Sequence, residues 1–457
     1  MADTPAFDYV IVGGGLAGRT LARCLADGSE AVSVALVAES APVGGGGWFA
    51  SRRPSPLAFS LPQPGLNGRS VPLQDAWLTP AIADQEAGDW GDPAWCFEAL
   101  DPPLPGPAPP AAGPEVERLS PAGGPWQTAF LNAADETGLL LAPSGREAPP
   151  PEALDLPACV APWTGAQVLR LRFDGRRAVG VDLRCEDGSA LSLAARREVL
   201  LCAGALRNPQ LLQVSGVGDG AAVQKAGIRF KHHLPGVGAH LQDRLGFSAG
   251  FRVVGGGADA DAAAFKGLLR LAAGSARPEA HWQFACGLAD TRWRAGWPWR
   301  RRLASLRTGL LQPASCGWVQ AAGPDALVPP QVHPGHFDDL SDLDRSVDLY
   351  RQVQRFLLAR AWAGRLANDL AKPATGDGLA IREDLRERSV SLSHFAGTCR
   401  MGDDALAVVD AGMRVHGLQA VRVVDASVLP ALAGGSPAAH ARLLAEWAAK
   451  RVLADIR

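Results

Sequence analysis

The sequence of 457 residues is poor in the features that usually announce a function class. No apolar run reaches the roughly 18 residues needed for a membrane span. An excess of charge is missing too, since 45 Lys and Arg face 47 Asp and Glu for a net charge of -2. That balance argues against a general nucleic-acid binder, since phosphate binding wants a concentrated basic surface. The eight cysteines (Cys24, Cys96, Cys159, Cys185, Cys202, Cys286, Cys316 and Cys399) form no CxxC pair, so neither a zinc ribbon nor a disulfide framework is indicated. His333 and His336 have no third ligand at metal spacing, and no metal site is expected. Reduced, mostly buried thiols in a cytoplasmic protein are the expected reading. Met1 to Phe7 is short and polar and leads directly into a strand, leaving no room for a signal peptide. No repeat of fixed period is present.

What is there is a chain able to build a large core. Hydrophobic residues make up 47% of it, and its length suggests about two or three domains. Tyr9-Val-Ile-Val12 reads as a buried parallel strand. Gly13-Gly-Gly-Leu-Ala-Gly18 follows at once, then Leu21, Ala22, Leu25 and Ala26 recur at helical spacing. A second apolar run, Val32 to Ala38, ends at Glu39, which completes a βαβ unit. In the GxGxxG spacing, Gly13 permits the tight turn, Gly15 lets backbone approach a pyrophosphate, and Gly18 lets helix and strand pack closely. The helix N-terminus offers free N–H groups to the phosphates. Glu39 stands about 20 residues on, where a carboxylate holds a ribose hydroxyl. The motif alone admits either FAD or NAD.

Further along, Pro42 to Pro80 is loop-like, and Pro102 to Pro125 and Pro143 to Pro162 read as surface excursions. Val168 to Phe173 and Ala178 to Arg184 flank Asp174-Gly175 as a hairpin. Glu198 to Gly204 is another apolar strand, followed by a helix carrying Pro209, Leu211, Leu212 and Val214. Ala258 to Arg302, rich in Ala, Arg and Trp, is the least legible stretch. Asp342 to Ala363 is an amphipathic helix, Ala420 to Val424 a strand, and Ala438 to Leu453 a closing helix. Within Arg292 to Arg302, tryptophans interleave with cations. An exposed loop with locally packed tryptophans is preferred there over a grip on an anionic ligand or a membrane-interface anchor.

Three later blocks resemble the glucose–methanol–choline (GMC) oxidoreductase family, which uses FAD. Gly204-Ala-Leu-Arg-Asn-Pro-Gln-Leu-Leu-Gln-Val-Ser-Gly-Val-Gly218, continuing to Leu234-Pro-Gly-Val-Gly-Ala-His-Leu-Gln-Asp243, is similar to the family's second signature. His394-Phe-Ala-Gly-Thr-Cys-Arg-Met-Gly402 resembles its catalytic-histidine segment. The third block runs through Val408-Val-Asp, Arg414-Val-His-Gly417 and Arg422 to Pro430, with weaker echoes at Gln63 to Arg69 and Pro329 to Asp344. The resemblance implies an α/β fold, α+β overall. A Rossmann-like FAD-binding domain would be assembled from the discontinuous segments 1-75, 163-245 and 395-457. A substrate domain with an antiparallel sheet would be built from 76-162 and 246-394. It also implies that the Val168 backbone meets the adenine, and that Asp425 and Ala426 lie beside the pyrophosphate and ribityl chain. For Asp425, a helix N-cap or turn is the plain structural alternative. His394 is the expected proton acceptor as an alcohol substrate gives hydride to flavin N5, a task that suits a group titrating near neutrality. Cys399 is read as packing.

Two departures matter. Val71-Pro-Leu-Gln-Asp-Ala-Trp77 stands where the family carries an Arg-Gly-Lys…Gly-Gly-Ser-Ser segment that covers the flavin. The family's second catalytic position, Asn or His, falls on Ala438, which cannot donate a hydrogen bond. Losing one such donor costs about 10²–10³ in rate. Ser436 and His440 are the nearby candidates to replace it. The expected function is therefore FAD-dependent oxidation of a small-molecule alcohol, with His394 and His440 as catalytic candidates. The alternatives are a tailoring or lyase-type reaction without net oxidation, or a non-catalytic protein on a decayed scaffold.

Overall fold

The computed structural model describes residues 4–29, 32–39, 117–118, 124–142, 156–253, 263–270, 280–289, 301–367, 377–392, 394–432 and 437–455. Pro42 to Pro80, most of the Pro-rich excursion from Pro102, Arg292 to Arg300, and Ser436 lie outside these residues, as does the side chain of Ala438.

The first sheet begins with β1 (Ala6–Val12), whose Tyr9 to Val12 are buried, paired in parallel with β2 (Val34–Ala38). The helix Leu16–Gly28 connects them. It buries Ala17, Leu21, Ala22 and Leu25, the spacing that turns one face of a helix to a sheet. Beyond β2, β3 (Val160–Thr164) closes that edge, Leu36 facing Pro162. The sequence reads as a surface excursion up to Pro162, but the last three residues of that stretch open this strand. A proline donates nothing to a ladder, and an edge strand is where it is tolerated.

On the other flank, β4 (Ala166–Asp174) and β5 (Arg177–Cys185) form the expected hairpin around Gly175, whose φ is +55°. The long strand β6 (Ala190–Leu201) serves two partners. Its first half pairs antiparallel with β5, and its second half lies in parallel between β1 and the short strand Val421–Val423. The helix Pro437–Ala454 packs on Leu16–Gly28, so closely that a Cβ on Gly28 would stand 2.2 Å from Leu453. Arg422, only 1% exposed, binds Glu198 of β6 through Nε (2.7 Å) and Nη2 (3.0 Å) and also pairs with Asp455, tying the last turn of the chain to the sheet.

The second sheet is antiparallel. Strands β7 (Leu245–Val253), β8 (Ala263–Arg270), β9 (Ala280–Ala289) and β10 (Arg301–Leu310) run in the order β7-β10-β9-β8. Leu340–Leu357 covers it, burying Leu343, Val347, Tyr350, Val353 and Phe356 together with Phe130 of the helix Gly124–Thr137. The sequence reads as one helix from Asp342 to Ala363. The helix instead ends at Leu357, and a 3₁₀ turn follows at Arg360–Trp362. The break lets Trp362 fold back, donating Nε1–H to the Phe356 carbonyl at 3.1 Å and packing on Phe130 and Phe356. Glu136 accepts the Arg360 and Ala361 amides that the break releases.

An irregular ladder joins the two halves. Leu241 pairs with Gly317, Gln242 with Ala396, and Gly238 donates to Thr398. Cys399 and Met401 in turn donate to Ser427 and Val428. Among the described residues no helix is long and apolar enough to cross a membrane.

Candidate active site

The carboxyl ends of β1, β2, β6 and Val421–Val423 reach the same edge of the first sheet, where open α/β folds bind their ligands. Gly13 leaves β1 at φ +119°, and a Cβ there would stand 2.2 Å from the Cys202 carbonyl oxygen at the end of β6. A Cβ on Gly18 would stand 1.9 Å from the Gly13 carbonyl. The turn therefore closes only with glycine at both positions. Gly15 is the N-cap of Leu16–Gly28, with no side-chain cap and no acidic residue in the first turn. An uncapped, uncharged helix start leaves its amides to an anion, which fits the pyrophosphate of a dinucleotide.

Glu39 follows β2 directly and pairs with Arg207 (Oε1 to Nη2, 3.6 Å). Val168 is buried on β4, four residues after Thr164, which faces Ala38 next to Glu39. Asp425 is buried and accepts four hydrogen bonds: from Gly204 N (2.7 Å), Asn208 Nδ2 (2.7 Å), Ser427 N (2.9 Å) and Ser427 Oγ (2.6 Å). It caps the 3₁₀ turn Ala426–Val428. Burial pushes its carboxyl above the usual range against the pull of those bonds. The side chain is thus committed to structure, as the plain alternative for this residue has it. Burial, reinforced by the Asp425 carboxylate, pushes the thiols of Cys202 and Cys399 far above their usual value.

His394 lies at the far end of the ladder. Its backbone N–H donates to Asp243 Oδ1 at 3.1 Å, and its ring Nδ1 is 3.5 Å from Nη1 of Arg244. Asp243 and Arg244 are 3% and 2% exposed, so two successive buried residues fix one histidine, one by backbone and one by ring. Arg244 is itself held by an Nε donation to the Leu311 carbonyl at 2.7 Å. The other carboxylate oxygen of Asp243 lies 2.9 Å from Nε2 of His336. His333 is paired with Asp338 instead, and among the described residues no three metal-ligating side chains come together. His440 is buried at the start of Pro437–Ala454. Leu432, the last described residue before that helix, donates its amide to Gln242 Oε1 at 2.7 Å.

Sequence reasoning missed Arg207, Asn208, Asp243 and Arg244 as site residues. The first three sit inside the second-signature block and Arg244 directly follows it, so position in the block was the available signal.

Comparison with known proteins finds this chain similar to GMC oxidoreductases. Two sequence models described as GMC oxidoreductase match residues 161–246 and 313–445. The oxygen-dependent choline dehydrogenase of Serratia proteamaculans is 31% identical over 320 residues, covering 63% of this chain and 57% of the relative. The patulin synthase of Aspergillus clavatus is 34% identical over 329 residues, covering 61% and 52%. The chain thus spans little more than half the length of these curated relatives. Among solved structures, pyridoxine 4-oxidase from Mesorbium loti superposes with a TM-score of 0.75 at 22% identity, covering 97% of this chain and 98% of that one. Formate oxidase gives 0.78 at 19%, covering 100% and 99%. At those identities the likeness is one of fold. The chain belongs to the GMC oxidoreductase family. The cofactor of that family is FAD, and the glycine cradle and uncapped helix start fit it.

Proposed function

We propose that this protein oxidises the alcohol carbon of a small-molecule substrate to a carbonyl, with His394 as proton acceptor. The observation that carries the reading is the seating of His394 by Asp243 and Arg244, on a segment whose continuation lies against Ala426–Val428 at the nucleotide edge. When bound, FAD supplies the hydride acceptor. The chain's own residues supply the rest. His394 takes the hydroxyl proton, its ring placed by Nη1 of Arg244 3.5 Å from Nδ1. With FAD bound, Gly13, Gly15 and Gly18 would admit the pyrophosphate, Glu39 would hold a ribose hydroxyl, and the Val168 backbone would meet the adenine. The backbone of Asp425 and Ala426 would line the pyrophosphate and ribityl chain. His440 is the donor that replaces the one Ala438 cannot supply, from its buried place one turn into the closing helix.

The FAD-binding domain comprises 1-75, 163-245 and 395-457, with its second segment extended back to Val160 because β3 belongs to the first sheet. The substrate domain comprises the remainder. The choline dehydrogenase among the similar proteins fits an alcohol as substrate class.

Anaerobic stopped-flow reduction with a panel of alcohols tests the reading. The bound flavin is expected to bleach, and His394→Ala to retain FAD while reducing it at least about 10²-fold more slowly. Equal rates in variant and wild type would remove His394 from the mechanism. Bound flavin that no alcohol bleaches would point to a reaction without net oxidation, and a protein without flavin to a binding role.

A further inference from the structure

We infer that Arg207 is a positioning residue for the adenosine end of the cofactor, holding the Glu39 carboxylate in place to receive the ribose. The inference rests on the FAD reading above. Glu39 stands just past the last residue of β2, where the ladder with β1 and β3 has ended. A carboxylate leaving a strand end would sample many rotamers, and ordering it at the moment of binding costs affinity. Arg207 removes that cost. Its Nη1 donates to Gln210 Oε1 at 2.6 Å and to the Ala326 carbonyl at 2.6 Å, which fixes the plane of the guanidinium. The remaining arm of the fork, Nη2, then lies 3.6 Å from Glu39 Oε1. The exposures divide the roles: the Arg207 side chain is 11% exposed and that of Glu39 35%. The cation is the fixed member, seated on the helix Arg207–Val214, and the carboxylate is the one presented outward. A guanidinium suits this task better than an ammonium, because its donors keep a rigid mutual geometry.

The pair also places a constraint on which dinucleotide the site favours. A carboxylate held at this point accepts hydroxyl hydrogen bonds and repels a phosphate. A lone arginine would do the reverse. Arg207 paired with Glu39 therefore serves a ribose with both hydroxyls unmodified.

The experiment is a double-mutant cycle on the FAD-loaded protein, with Glu39→Gln, Arg207→Gln and the pair. Its readouts are the dissociation constant of FAD, from the rise of free-flavin fluorescence on dilution, and the melting temperature. Glu39→Gln is expected to weaken FAD about ten-fold and Arg207→Gln about three- to ten-fold. The double variant should match Glu39→Gln alone, because Arg207 acts on the cofactor only through Glu39. Arg207→Lys should recover part of the loss. A lowered melting temperature with FAD affinity unchanged, or losses that add in full, would overturn the inference by making Arg207 a merely structural anchor. Wild type that holds no FAD at all would overturn the cofactor reading itself, and this inference with it.

Discussion

The backbone amide of His394 donates to the buried carboxylate of Asp243 across 3.1 Å, although 151 positions separate them in the chain. The two segments that meet there, Gly238 to Arg244 and Leu392 to Thr398, run antiparallel, and Leu392 donates to the Arg244 carbonyl. Asp243→Asn keeps the shape but weakens a charge-assisted bond and the contact to His336. The expected result is unchanged FAD content with flavin reduction slowed by about 10-fold, the order of loss for a misplaced acid–base group. Paired measurements of flavin absorbance and anaerobic reduction rate decide it. Equal loss of flavin and rate would show that Asp243 serves the fold alone.

Gly18→Val tests the cradle. The first added carbon would stand 1.9 Å from the Gly13 carbonyl, so helix and turn must separate. Overpacking of that kind costs about 1–3 kcal/mol. The phosphate-facing turn opens with it, and the purified variant should be nearly colourless. A flavin-to-protein absorbance ratio equal to wild type would refute the cradle.

Acid stability has a local source at the C-terminus. Partial burial works to raise the Asp455 carboxyl, but hydrogen bonds from Arg422 and Arg414 outweigh it and hold the group below its usual 3.8. A depressed folded value means that the stabilisation is complete above pH 3.8 and is lost as pH falls through the folded value. Asp455 is 43% exposed, so solvent screens the pair and its worth is about 0.5–1 kcal/mol. Asp455→Asn should be less stable by that amount at neutral pH. Urea titrations should show the two proteins converging as pH falls below 3.8 and through the lower folded value. A difference that persists there would mean that packing, not charge, is at work.

Thiol chemistry should divide by burial. Cys399 and Cys202 are enclosed beside Asp425, and burial holds both thiols protonated. Cys159 and Cys316 are exposed. Iodoacetamide at about pH 8 should modify Cys159 first and Cys316 more slowly, because burial raises the Cys316 thiol, and should reach Cys202 and Cys399 only after denaturation, as peptide mapping would show. Rapid labelling of Cys399 would bring it back as a chemical participant.

The βαβ unit was legible because its signals are local and concordant: a buried apolar run, glycines at fixed offsets, then helical spacing up to Ala26. The hairpin at Asp174-Gly175 and the closing helix were legible for the same reason. The break after Leu357 was not, since it depends on Trp362 finding Phe130, a residue over two hundred positions earlier. Nor were β8, β9 and β10. Their Ala- and Arg-rich segments lack the strict alternation that marks a half-buried strand, so the antiparallel sheet came from family resemblance alone. In the site, GxGxxG pointed to the phosphates. Arg207 and Arg244 carry no pattern of their own, and only the fold brings them beside Glu39 and His394.

The strand β6, shared between an antiparallel hairpin and a parallel core, has a consequence for how the molecule is made. Its second half needs β1 from the beginning of the chain on one side and Val421–Val423 from near the end on the other. Closing such distant loops is slow, and its entropy cost precedes the reward of the contacts. During synthesis the nucleotide edge stays unfinished until Asp425 has left the ribosome and can take the amide of Gly204. Until Val421–Val423 arrives, the second half of β6 lacks its partner on that side, so the parallel core is completed late and an apolar edge stays open in the interval.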